Sequence, residues 1–254
     1  MRKTILAALA AIVLMGCAGS RERIIPDTFD PRSEFEQANK YLEKRKFSEA
    51  RQLLNDIKRR DTEVEYAPLA QLRLADSYVQ EDEPEIAVEE YRRFLADYPR
   101  HKHSAYAQYQ VGKVYYDLIT DSDRGQAAIV KALDAFKTLM RQHPRNPYRE
   151  QVTLRIAECE KRLADYEFMV GNFYFVKGAY KGAVGRYADI LGRFPDYVGV
   201  PEVLARTAEG YARLGDAERA RWYLGKLRET YPDLGVTAKA VRTVEPLLAP
   251  GDAE

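Results

Sequence analysis

Five positions of this chain recur with identical spacing in three separate places. Ala75, Tyr78, Ala87, Tyr91 and Pro99 form one frame; Gly171, Tyr174, Ala183, Tyr187 and Pro195 repeat it; Ala208, Tyr211, Ala220, Leu224 and Pro232 repeat it again. A frame of small residue, aromatic, small residue, bulky apolar residue and proline reads as two helices crossing closely at the small residues, ended by a proline that cannot continue a helix. From Ser33 to Leu248 the apolar residues recur at helical spacing, and no stretch alternates as a strand would. The expected class is all-α. One such unit cannot bury its own apolar face, so the units must stack into one elongated core with capped ends. The 18 Tyr against 1 Trp follow from the same rule, because the aromatic positions fill the space between stacked pairs.

The frame resembles the tetratricopeptide (TPR) repeat, which implies a right-handed superhelix of about five helix-turn-helix units. Two imperfect copies complete the set: Ala38, Tyr41, Ala50 and Leu54 without the proline, and Gly112, Tyr115, Ala132, Phe136 and Pro144 with an insertion near residues 120–127. Repeats are predicted to begin near positions 31, 68, 105, 164 and 201. Repeats 1–3 would occupy residues 33–144 and repeats 4 and 5 residues 145–248. The longer step before repeat 4 holds an added helix, from about Tyr148 to Leu163, that runs on into repeat 4 without a breaker. Residues 249–254 are expected to be a disordered tail.

The amino terminus has a different logic. Arg2 and Lys3 precede an apolar run from Ile5 to Met15, which is too short to span a bilayer and has the layout of a secretory signal. Leu14-Met15-Gly16-Cys17 resembles a bacterial lipobox. That resemblance implies cleavage after residue 16, acylation of Cys17, a flexible linker over 17–32 and, with Ala18 after the cysteine, transfer to the outer membrane. Acyl chains then replace any transmembrane helix as the anchor. Cys159 is left without an intrachain disulfide partner and reads as a buried small residue of a helix.

Charge excludes one class of partner. Lys and Arg number 40 against 39 Asp and Glu, interspersed along the chain, so no positive field gathers nucleic acid. Nothing points to catalysis: there is no nucleophile elbow, phosphate loop or zinc-protease motif. His101-Lys102-His103 has neither the spacing nor the number of donors of a metal site, and His143 stands apart. No catalytic residue, metal or cofactor is expected. The sequence describes a binding scaffold.

Particular stretches narrow the kind of scaffold. Tyr91-Arg92-Arg93-Phe94, Tyr98-Pro99-Arg100-His101, Tyr106-Ala107-Gln108-Tyr109 and Gly112 are similar to the junction of repeats 2 and 3 in the BamD family of TPR lipoproteins. Arg162-Leu163-Ala164-Asp165-Tyr166-Glu167, then Val170, Tyr174, Gly178-Ala179-Tyr180, Ala183-Val184, Arg186 and Phe194-Pro195-Asp196 resemble that family's most characteristic stretch. Asp121-Ser122-Asp123-Arg124-Gly125-Gln126 falls where the family carries an insertion. Two departures lie in repeat 1, where Arg60-Asp61-Thr62-Glu63 replaces a usual Tyr-Pro and Lys46 stands where a turn glycine is common.

The resemblance implies a periplasm-facing outer-membrane lipoprotein of the β-barrel assembly machinery. Its carboxy-terminal half would dock a POTRA domain of BamA, with Arg186 at the family's contact position, and accessory Bam lipoproteins where they exist. An exposed helix arginine paired locally with Asp189 or Asp196 is the other reading of Arg186. In the amino-terminal half, the residues lining the inner faces of the first helices would be Phe35, Asn39, Leu42, Leu72, Asp76, Val79, Tyr109, Lys113 and Tyr116. Such a groove suits an extended carboxy-terminal segment of an unfolded outer-membrane protein; ordinary packing between repeats is the alternative for each residue. A pilotin-like TPR lipoprotein that assists a secretin is the competing function, and an envelope enzyme such as a cell-wall hydrolase a more distant one.

Overall fold

The computed structural model of the chain describes residues 29–120 and 125–249, and within them eleven α-helices follow one another with no strand. They are α1 (Pro31–Glu43), α2 (Phe47–Arg60), α3 (Ala67–Gln80), α4 (Pro84–Asp97), α5 (Ser104–Asp117), α6 (Gly125–Gln142), α7 (Arg149–Val176), α8 (Tyr180–Arg193), α9 (Val200–Arg213), α10 (Ala217–Thr230) and α11 (Gly235–Leu248). Consecutive helices pack as antiparallel TPR hairpins, and α11 closes the stack against α9 and α10. The first helix starts at Pro31, two residues before Ser33, because Asp30 caps it by accepting a hydrogen bond from the Arg32 N–H. The signal segment and Cys17 lie outside the described residues, as do residues 250–254 and residues 121–124 of the insertion.

Four hairpin turns are built alike. Residues 44–46, 81–83, 177–179 and 214–216 each place their middle residue in the left-handed region: Arg45, Asp82, Gly178 and Gly215. In each, the N–H of the third turn residue returns to the carbonyl of the frame tyrosine, Tyr41, Tyr78, Tyr174 or Tyr211, at 2.9, 2.9, 2.9 and 3.0 Å. This closes the last carbonyls of the first helix. In repeat 1 the special position is therefore Arg45 and not its neighbour Lys46.

The small residues of the frame and the bulky residues opposite them are interior, while the closing prolines Pro99, Pro195 and Pro232 are exposed. Ala75, Ala87, Ala183, Ala208 and Ala220 are fully buried, with Tyr91, Phe136 and Tyr187 among the largest enclosed side chains. At the two frame glycines the ring opposite comes too close for a side chain: a Cβ on Gly112 would lie 2.5 Å from the Phe136 ring, and one on Gly171 would lie 2.6 Å from the Tyr187 ring. Burying each such ring contributes about 1.5–3 kcal/mol relative to leaving it in water.

At the start of repeat 2, where no Tyr-Pro ends α2, Asp61 takes over. Its Oδ2 accepts hydrogen bonds from the N–H groups of Tyr66 (2.6 Å) and Ala67 (2.8 Å) and so satisfies the amino end of α3. The intervening turn holds Val64 at φ 58°.

The expected added helix is fused with the first helix of repeat 4 into α7, 28 residues long. Its first half packs beside α5. Tyr109 stacks on Tyr148 with centroids 4.1 Å apart, its hydroxyl donates to Gln151 Oε1 at 2.9 Å, and the Tyr116 hydroxyl donates to Glu158. Arg155 lies over the rings of Tyr109, Tyr116 and Phe136. The second half of α7 pairs with α8 through Gly171 and Tyr187.

Candidate functional site

Immediately after the small residue of each first helix comes a polar one: Asn39, Asp76, Lys113, Asn172 and Glu209. What each does depends on the residue across the hairpin. Asp76 Oδ1 accepts the Tyr91 hydroxyl at 2.6 Å and the Tyr106 hydroxyl at 2.8 Å, while Oδ2 accepts from Arg73 at 2.9 Å. Asn172 Oδ1 likewise accepts the Tyr187 hydroxyl at 2.7 Å. In repeats 3 and 5 the facing residues, Phe136 and Leu224, have no hydroxyl. There Lys113 turns to Asp117 at 2.5 Å and Glu209 to Arg213 at 2.8 Å. Burial first, and then the Asp76 carboxylate, push the Tyr91 phenol far above its usual pKa and the Tyr106 phenol up to about 12.

The nine residues expected to line an amino-terminal groove separate into groups. Leu42 packs inside with Phe47 and Ala50, and Leu72 is buried with Ala75 and Tyr91. Asp76 has its oxygens committed as described. Tyr109 and Tyr116 are turned onto α7. Phe35, Asn39 and Lys113 are half-buried and Val79 is exposed, with Phe35 tilted against Tyr66 at 5.8 Å. The open part of this surface is thus confined to repeats 1 and 2 and Lys113.

Arg186, on α8, pairs with neither Asp189 nor Asp196. Its Nη1 donates to Oε2 of Glu167 on α7 at 2.8 Å; the arginine side chain keeps 42% of its exposure and the glutamate only 12%. That hydrogen bond, and the charge behind it, raise the pKa of the guanidinium further. The ring of Tyr174 lies against Gly182, one turn before Arg186 on α8.

Tyr166, Met169, Phe173 and Val176 form an exposed apolar stripe along the second half of α7, with Phe173 60% and Val176 82% accessible. Their spacing of three and four residues puts them on one face. Phe173 meets Tyr174 edge-on at 5.8 Å, which joins the stripe to the neighbourhood of Arg186. Sequence reading did not single out this stripe. Its signal is present, since apolar residues at 166, 169, 173 and 176 add to the buried set of the same helix and make α7 apolar on two faces.

Other candidates are chemically quiet. Cys159 is fully buried and burial pushes its thiol up to about 11, so it is not a thiolate at neutral pH. His101 packs edge-on against Phe94 at 5.5 Å, and its Nδ1 accepts the His103 N–H at 3.2 Å. Among the described residues no three His, Cys, Asp or Glu side chains gather as metal ligands, and no helix is long and apolar enough to cross a membrane.

Compared with known proteins, the chain is 26% identical over 220 residues to the outer membrane protein assembly factor BamD of Caulobacter vibrioides, covering 86% of this chain and 72% of that protein. Among solved structures it is similar to the thermophilic TPR protein TTC0263 of Thermus thermophilus, at 18% identity, TM-score 0.38, and 84% and 98% of the two chains. It is also similar to PilW, a type IV pilus biogenesis factor, at 15% identity, TM-score 0.38, and 83% and 98% of the two chains. The profile of the family described as YfiO, outer membrane lipoprotein, matches residues 28–227, most of the hairpin stack built above, and the chain belongs to that family.

Proposed function

We propose that this BamD-like chain is a non-enzymatic scaffold of the β-barrel assembly machinery, held at the periplasmic face of the outer membrane by acyl chains on Cys17. Family membership and the BamD match support a role in outer-membrane protein assembly. On this reading repeat 4 docks a POTRA domain of BamA, and the open surface of repeats 1 and 2 receives the terminal segment of an unfolded outer-membrane protein. Other Bam lipoproteins would join the same assembly.

The observation that carries the docking reading is the surface of repeat 4. An oriented arginine beside Tyr174 and an uncovered stripe of Tyr166, Met169, Phe173 and Val176 combine apolar anchors with one charged group, the composition of an interface core. For the amino-terminal half the supporting surface is smaller: Phe35, Asn39, Val79 and Lys113 offer an aromatic wall, an amide and one cation.

The test is affinity purification of the tagged, acylated full chain from detergent, wild type against Arg186→Glu, with co-purifying chains identified by mass spectrometry. Recovery of a POTRA-containing barrel protein by wild type, reduced in the variant, supports the proposal. Recovery of a secretin instead would favour the pilotin-like alternative.

A further inference from the structure

Arg186 offers more than one edge. A guanidinium carries five N–H donors, and the pair Nε and Nη2 forms the side-on fork that takes a carboxylate bidentately. Glu167 engages Nη1 only. Among the described residues no hydrogen bond is made by Nε or Nη2, and the side chain stays 42% accessible. The internal acid thus holds one end of the group and leaves the recognition fork open.

The two partners also differ in burial. The Glu167 side chain is 12% exposed and is anchored on α7 among Leu163, Ala164 and Gly171, which are buried core residues of the same helix. Arg186 comes from the next helix and would otherwise keep the rotamer freedom of a long surface side chain. We infer that Glu167 is a positioning residue: it presents the free fork of Arg186 to a carboxylate of the docking partner, and its own charge moderates how tightly that carboxylate is held. This rests on the reading of Arg186 as a docking residue and adds to it a second residue with a separable role.

The two parts of that role have opposite effects on affinity. Holding the arginine spares the ordering of a rotamer-rich side chain on binding, worth about 0.5–1.5 kcal/mol, or about 2- to 10-fold in affinity. The negative charge of Glu167 offsets part of the guanidinium's charge and repels an incoming carboxylate. Glutamine keeps an acceptor oxygen for Nη1 and removes the charge. Alanine removes both.

The test measures binding of full-length BamA in detergent to the acylated full chain, with thermal unfolding followed in parallel. Glu167→Ala should bind about 2- to 10-fold more weakly than Glu167→Gln, since both lack the charge and only glutamine keeps the acceptor for Nη1. Glu167→Gln should bind as tightly as wild type or tighter while being less stable, so that affinity and stability move apart. The reversed pair, Glu167→Arg with Arg186→Glu, should regain much of the stability lost by Arg186→Glu alone and still fail to bind. The inference is overturned if Glu167→Gln binds no more tightly than Glu167→Ala, if Glu167→Gln binds more weakly than wild type, or if the reversed pair binds normally, which would make the contact purely architectural. If wild type itself does not bind BamA, the docking reading falls, and this inference falls with it.

Discussion

The Tyr91 hydroxyl donates to Asp76 Oδ1 at 2.6 Å, so an enclosed aromatic of repeat 2 is tied by its one polar atom to the helix it packs against. The same relationship in repeat 4 joins Tyr187 to a neutral acceptor, Asn172. Bonds to charged acceptors are worth about 1.5–3 kcal/mol and neutral ones about 0.5–1.5 kcal/mol. Tyr91→Phe is therefore expected to destabilise the chain more than Tyr187→Phe. Urea unfolding of the two variants checks this, and equal losses would show that the charge of Asp76 contributes nothing here.

Gly112 faces Phe136 so closely that even a methyl group has no space. Gly112→Ala should cost about 1–3 kcal/mol despite the better helix propensity of alanine. Repeat 5 carries the complementary solution, Ala208 with Leu224. The double variant Gly112→Ala with Phe136→Leu should accordingly lose less than the sum of its single changes. A double-mutant cycle by chemical denaturation measures the coupling, and strict additivity would refute it.

Val64 is a β-branched residue in the left-handed region, where its side chain crowds the backbone. It is half exposed, and no packing of comparable size repays the strain. Val64→Gly is expected to stabilise repeat 1 by about 1 kcal/mol, read as a higher midpoint in urea. An unchanged or lower midpoint would mean that glycine's extra freedom in the unfolded chain outweighs the strain relieved.

His101 and His103 both have pKa values held below the usual imidazole value of 6.5, by burial first and then by neighbouring positive groups including Lys102. The unfolded chain therefore takes up these protons before the folded one does. Stability is highest above the unfolded value near 6.5 and is lost as the pH falls through it toward the lower folded values. Between pH 7.5 and 5.5 wild type should lose more stability than His101→Gln/His103→Gln, because carboxylate protonation is common to both. Parallel pH profiles would exclude the histidines as the source.

Helical spacing and the repeated frame made the stack legible from sequence, since small residues, rings and prolines act through local sterics at fixed intervals. The fusion of the added helix with repeat 4 was legible for the same reason: no breaker stands between Tyr148 and Val176. Repeat 1 was harder, because Arg45 adopts a left-handed turn without glycine and Asp61 replaces a proline by capping, and neither is announced by composition. At the candidate site, the position of Arg186 was marked by family resemblance, but its partner was not. Glu167 lies 19 residues away on another helix, and only the crossing of α7 and α8 brings the two together. Leu42, Leu72, Tyr109 and Tyr116 carry the same inner-face register as Val79, and register alone does not say which neighbours cover them.

The 28 residues of α7 make a rod of about 42 Å at 1.5 Å per residue. Repeat 3 is clamped to one end of it by Tyr109 and Tyr116, and repeat 4 to the other by Gly171 and Tyr187. A flexible joint between the halves would let a load on one dissipate before reaching the other. A continuous helix instead works as a ruler and a lever: it fixes the separation of the two ends, and torque applied at Arg186 reaches the α5 tyrosines without passing through a loop.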